Sequence, residues 1–173
     1  MNPWPDLRPI LKEFEWAIVG GVATRAYMPE RMTKDLDIVV HHRDGETIIK
    51  RLEQAGYRVI SRLAIPGYLM ISSDGTELDV LFGNYPWLNE ALEQPGQDPA
   101  GYPVIKLPYL VMMKMEAQRA QDWTDVSRML GWASDADLDE VRAVVKQYMP
   151  EDSEDLESLI FIGKKEQEPP PSP

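Results

Sequence analysis

Asp35 and Asp37, one leucine apart in the run DLDIVV, are the side chains best suited to chemistry in this chain. Successive side chains of a β-strand point to opposite faces, so in an extended run these two carboxylates project together. Leu36, Ile38, Val39 and Val40 make the run apolar enough for a central strand, where uncompensated carboxylates are costly. A divalent cation would compensate them. Mg²⁺, or Mn²⁺ in its place, takes carboxylate oxygens at about 2.0–2.1 Å and completes its shell with water and substrate phosphates. The alternative is that Asp35 ends a loop and Asp37 lies at a sheet edge, both solvated.

Gly20-Gly21 weighs against that alternative. The pair follows the apolar Trp16–Val19 and precedes D-x-D by fourteen residues. Two glycines let the backbone turn sharply and approach a ligand with no Cβ in the way. At the start of a helix over Val22–Tyr27, free N–H groups and the helix dipole favour a phosphate. A glycine pair alone is most often only a turn, and neither GxxxxGK[ST] nor GxGxxG is present. The combination of GG with D-x-D carries the reading.

The pattern GG-x-A followed by R-x-T-x-D-L-D-I-V-V resembles the nucleotidyltransferase fold of polymerase-β-like enzymes, particularly the small bacterial branch with abortive-infection, toxin-type and minimal antibiotic nucleotidyltransferases. Many relatives carry Gly-Ser where this chain has Gly20-Gly21. The resemblance implies an α/β (α+β) fold, a mixed sheet flanked by helices with a C-terminal helical appendage. It implies Asp35, Asp37 and a third carboxylate as catalytic and metal-binding residues, Mg²⁺ or Mn²⁺ as cofactor, and an NTP held by Gly20, Gly21, Arg31 and Thr33. Asp79 matches the third carboxylate, in the strand ELDVLF; the plainer reading is a solvated pair with Glu77. Farther on, Lys114-x-x-Ala117 and Asp122-x-x-Asp125 resemble the family's downstream motif, which adds Lys114 and Asp125 to the nucleotide-binding set. A lysine on a Met-rich helix can reach phosphates as a compact point charge. Equally, Asp122 can cap a helix, Asp125 can sit in its first turn, and Lys114 can snorkel.

The remaining elements must position these residues. Leu7–Phe14 has helical apolar spacing with Asp6 as a cap. Trp16–Val19, Asp35–Val40, Tyr57–Ser61, Tyr68–Ser72 and Thr76–Phe82 read as strands, with Ser73-Asp74-Gly75 as a hairpin turn. Gly45–Ala55 reads as an amphipathic helix stopped by Gly56. His41 and His42 read as surface residues at a strand end. Residues 84–101, rich in Pro, Gly and Asn, read as a loop near an acceptor site with a short helix around Trp87–Leu92, and 102–106 as a last short strand. Helices follow over Tyr109–Arg119, from Asp122 to a stop at Gly131, over Ala136–Met149 and over Ser153–Ile162. The expected domains are a core over 1–106, helices packed on it over 107–162, and a disordered tail over 163–173.

The chain has 173 residues, no cysteine and a net charge of −11. Disulfides and thiolate-bound zinc are excluded, and a cytoplasmic protein without a membrane partner is expected. Residues 1–62 carry ten Lys and Arg against nine Asp and Glu, the remainder eight against twenty. Such acidity makes general binding to nucleic-acid backbone unfavourable but permits a local basic groove. The expected partners are an NTP, an acceptor hydroxyl on RNA, protein or a small molecule, and a cognate antitoxin. Alternatives are a catalytically silent nucleotide-binding or interaction module, and a D-x-D glycosyltransferase.

Overall fold

A computed structural model describes residues 4–168. In chain order the elements are β1 (Trp16–Val19), α1 (Gly20–Ala23), β2 (Asp35–His41), α2 (Gly45–Gln54), β3 (Arg58–Arg62), β4 (Gly67–Ile71), β5 (Glu77–Gly83), α3 (Leu88–Glu93), β6 (Gly96–Gln97), β7 (Pro103–Val104), α4 (Leu107–Ala117), α5 (Ala120–Trp132), α6 (Asp135–Tyr148) and α7 (Ser153–Gln167). They form two compact units. One holds the chain up to Ala26 with Glu30–Ile105; the other holds Tyr27–Pro29 and the chain from Lys106 onward.

The first unit is a mixed α/β layer built on one sheet of order β3-β4-β5-β2-β1-β7-β6. Its centre is β2, antiparallel to β1 and parallel to β5. Apolar alternation explains that position. Leu36, Ile38, Val40, Leu78 and Val80 share one face and are at most 1% exposed. Ile48, Ile49 and Leu52 of α2 are buried too, and α2 packs against β5. Each such side chain contributes roughly 1.5–3 kcal/mol by leaving water. The opposite face of β2 and β5 carries Asp35, Asp37 and Asp79, so the hydrophobic pattern that seats the strands also sets which side the carboxylates take.

The expected helix over Leu7–Phe14 is instead a pair of turns, closed by Leu11 N–H donating to the Leu7 carbonyl at 2.9 Å and Phe14 N–H to the Leu11 carbonyl at 3.0 Å. Pro9 has no N–H and disfavours helical geometry at Arg8, while Leu7 and Leu11 are buried without a helix. The helix expected over Val22–Tyr27 is one turn, α1, begun by the glycines themselves and continued as a 3₁₀ turn over Thr24–Ala26.

In the second unit, α4 is apolar on nearly every side and Leu107–Met112 are all buried. α4 packs on α5 and α6, and α5 lies along α7. Gly131 does not stop α5. A Cβ at Gly131 would lie 2.4 Å from the Gly163 carbonyl oxygen, and one at Gly163 1.8 Å from that of Ser127. The two glycines let α5 and α7 touch backbone to backbone. α7 consequently runs through Gly163 to Gln167, beyond the Ile162 limit expected from the sequence, and Lys164 Nζ donates to the Ala133 carbonyl at 2.6 Å. The remainder of the expected tail, 169–173, lies outside the described residues. Among the described residues, no helix is long and apolar enough to cross a membrane.

Candidate active site

The parallel pairing of β2 with β5 sets Asp37 opposite Asp79 and Asp35 opposite Glu77. Residues in register on neighbouring strands point to one face, so Asp79 joins the two carboxylates of the D-x-D run. Asp35, Asp37 and Asp79 each place one carboxylate oxygen within 4.8 Å of the others, and all three are half-buried. Opposite ligands of an octahedral Mg²⁺ are about 4.2 Å apart, so small side-chain rotations bring this set onto one ion. Burial, then the charges of Asp35 and Glu77, push the Asp79 carboxyl above its ordinary range. Burial disfavours the ionised form of any carboxylate, and the two neighbouring acids add to that effect. An all-oxygen set of this kind fits a hard divalent cation.

The glycine turn lies directly on the cluster. Val19 pairs with Asp37 in the β1–β2 ladder, so β1 delivers Gly20 beside that carboxylate. Gly20 has φ +63°, and a Cβ there would lie 2.0 Å from Asp37 Oδ2. A side chain at this position is disfavoured by the backbone conformation and would have to displace the Asp37 carboxylate. At Gly21, a Cβ would come 2.9 Å from Thr33 Oγ1 and 3.1 Å from an Arg31 guanidinium nitrogen. Thr33 Oγ1 donates to Asp35 Oδ1 at 3.1 Å. Gly20, Gly21, Arg31, Thr33, Asp35, Asp37 and Asp79 thus form one constellation within the first unit. What the glycines supply is close approach; α1 is too short for the helix-dipole argument to hold.

Lys114 and Asp125 have a different setting in the second unit. Lys114 is 4% exposed, and its ammonium donates to Asp122 Oδ1 at 2.9 Å and Asp125 Oδ2 at 2.8 Å. Arg119 Nε adds a bond to Asp122 Oδ2 at 2.6 Å, and Gln121 donates to Asp125 at 2.9 Å. Burial raises the Asp122 carboxyl, but the Arg119 and Lys114 hydrogen bonds outweigh it and leave the group below its ordinary value. The motif residues are brought together as a closed ionic cluster between α4 and α5. Asp122 sits in the first turn of α5, whose N-cap is Arg119.

His41 departs from its expected surface position. It is 5% exposed, and its Nε2 lies 2.8 Å from Glu15, while His42 stays exposed with its ring edge-on to Phe82. Sequence reasoning also missed the Arg25–Asp98 ion pair. Arg25 Nε donates to Asp98 Oδ2 at 2.7 Å; Oδ1 accepts from the Ala100 and Tyr102 amides at 2.9 and 2.8 Å. This buried carboxylate ties the turn after Gly20-Gly21 to the segment before β7. Only a lone Asp-Pro in a proline-rich stretch marked it in the sequence.

No protein-family model and no curated protein matches the chain. Among solved structures, it is similar to the lincosamide antibiotic adenylyltransferase LnuA with lincomycin bound, at 13% identity and TM-score 0.48 over 77% of this chain and 87% of that one. It is similar to the antibiotic-resistance factor ANT(2'')-Ia at 16% identity and TM-score 0.48, over 90% and 84%. Terminal uridylyl transferase 4 from Trypanosoma brucei with bound GTP aligns at 12% identity and TM-score 0.33, over 81% and 48%. At these identities and scores the likenesses add nothing to a functional argument, which rests on the constellation itself.

Proposed function

We propose that this chain is a metal-dependent nucleotidyltransferase, which moves NMP from an NTP to an acceptor hydroxyl and releases pyrophosphate. The observation that carries the reading is the convergence of Asp35, Asp37 and Asp79 with a glycine turn whose Cβ position Asp37 already fills. Asp35, Asp37 and Asp79 would hold Mg²⁺ or Mn²⁺, and the ion when bound would neutralise the carboxylates and the phosphate charge that develops. Gly20 and Gly21 bring the turn against Asp37, Thr33 and Arg31, and the triphosphate would lie beside this turn, with Arg31 to meet its charge and Thr33 bonded to Asp35. Asp79 takes the acceptor proton while the acceptor oxygen bonds the α-phosphorus and the bond to pyrophosphate breaks. Positioning and charge stabilisation, without a covalent intermediate on the protein, suffice for such transfer.

Lys114 and Asp125, closed in their ionic cluster, enter this proposal as residues that hold α4 to α5. The acceptor is a hydroxyl of RNA, of a protein, for example a cognate antitoxin, or of a small molecule such as an antibiotic. The test is to incubate the wild type and an Asp35→Asn/Asp37→Asn variant with each labelled NTP, Mg²⁺ and, separately, total RNA, cell protein and small-molecule extract. Label transferred by wild type alone establishes the activity and names the acceptor class; transfer by neither, or equally by both, overturns it.

A further inference from the structure

A cavity lies on the face of the sheet opposite the three carboxylates. Its volume is about 390 Å³, within the ~300–1,000 Å³ of small-molecule sites. Tyr68 pairs with Val80, and Val80 and Phe82 alternate with Asp79 along β5, so the cavity occupies the face opposite the three carboxylates. The proposed transfer makes no use of it.

Its walls are fixed by backbone. A Cβ at Gly67, the first residue of β4, where φ is +143°, would lie 2.2 Å from the Val80 carbonyl oxygen, so the start of β4 lies tight against β5. Phe82 N–H donates to the Pro66 carbonyl at 2.9 Å and Leu63 N–H to that of Gly67 at 3.1 Å, which holds the β3–β4 loop in place. At the floor, a Cβ on Gly45 would come 2.6 Å from the Phe82 ring, which packs edge-on to Tyr68 at 5.7 Å between centroids. Apolar Leu63, Ile65 and Pro66 face this aromatic floor.

Two opposite charges line the cavity and do not pair with each other. Glu46 accepts from the Tyr68 hydroxyl at 3.2 Å. Arg62 lies across the ladder from Tyr68, its guanidinium carbon 5.5 Å from the ring centroid. Among the described residues, neither Glu46 nor Arg62 has an ion-pair partner. A guanidinium fork suits a carboxylate, and a carboxylate beside aromatic faces suits an ammonium. Beside them the lining is apolar, with Phe82, Leu63, Ile65 and Pro66.

We infer that this cavity binds a zwitterionic amphipath, either a free amino acid with an apolar or aromatic side chain or a dipeptide, with its carboxylate on Arg62 and its ammonium on Glu46. Binding here leaves the catalytic face open, and it requires neither nucleotide nor metal, so it stands or falls separately from the transferase reading.

The experiment titrates ¹⁵N-labelled full chain, without nucleotide or metal, with L-phenylalanine, with L-leucyl-L-leucine and with N-acetyl-phenylalaninamide, which lacks both charges. Saturable amide shifts at Gly67, Tyr68 and Phe82 are expected with phenylalanine or with the dipeptide, and the tighter of the two identifies the source. Affinity should fall about tenfold or more for the blocked compound and for Arg62→Gln and Glu46→Gln, each of which loses a charged hydrogen bond. Both side chains are exposed, so the variants should keep the wild-type spectrum outside the cavity. No saturable shift with either zwitterion, equal affinity for the blocked compound, or unchanged affinity in both variants overturns the inference.

Discussion

At the scale of single residues, Gly20 is the least replaceable position of the candidate site. Its positive φ and the Asp37 carboxylate both disfavour a side chain. Gly20→Ala should cost about 1–3 kcal/mol of backbone strain and push Asp37 out of the cluster. Thermal melting with and without Mg²⁺ checks this: the variant should melt lower and lose any metal response. Asp79 gives a prediction in pH. Its folded pKa is raised, so the folded state binds its proton more tightly than the unfolded chain does, and that contribution is complete below the ordinary carboxylate pKa of about 3.9. It is lost as pH rises through the raised folded value. Without divalent metal, Asp79→Asn should therefore melt higher than wild type at neutral pH, the difference shrinking on acidification; a lower melting temperature at neutral pH would refute the charge crowding. Asp35 and Asp37 were legible from alternation alone. The close contact of Gly20 with Asp37 was not, because it depends on the β1–β2 register, which no local pattern encodes.

At the scale of elements, strands were easier to read than helices. β2, β5 and α2 follow from apolar periodicity that packing then uses, whereas every residue of β3 is exposed. Leu7–Phe14 has helical periodicity too, yet forms turns, because Pro9 interrupts the backbone while burial of Leu7 and Leu11 still satisfies the pattern. Gly131 carried a stop signal that the helix overrides: its missing Cβ serves contact with Gly163, a partner 32 residues on and invisible to local reading. Lys114 shows the same limit for chemistry. Its sequence setting is equally that of a phosphate ligand and of a structural ion pair, and only the folded positions of Asp122 and Asp125 separate them. Lys114→Met leaves two buried carboxylates facing one another, so it should destabilise the second unit by about 3–5 kcal/mol. Urea unfolding measures this. A variant as stable as wild type but weaker in nucleotide binding would restore Lys114 to the site.

At the scale of the whole molecule, acidity and a clustered triad impose one requirement. A chain of net charge −11 that gathers three of its carboxylates on one sheet face needs a cation there before it can hold a polyanion. Nucleotide binding should therefore depend on the metal. The direct measurement is the melting temperature of wild type and Asp35→Asn/Asp37→Asn, each with NTP plus Mg²⁺ or Mn²⁺ and with NTP plus chelator. At about a hundredfold excess over Kd, binding adds roughly 2.7 kcal/mol, a rise of about 5–10 °C for a chain of this size. The wild type should show that rise only with metal, and the double variant should not show it at all. A wild-type rise of equal size in chelator, a metal-dependent rise that survives in the double variant, or no rise under any condition would contradict the account.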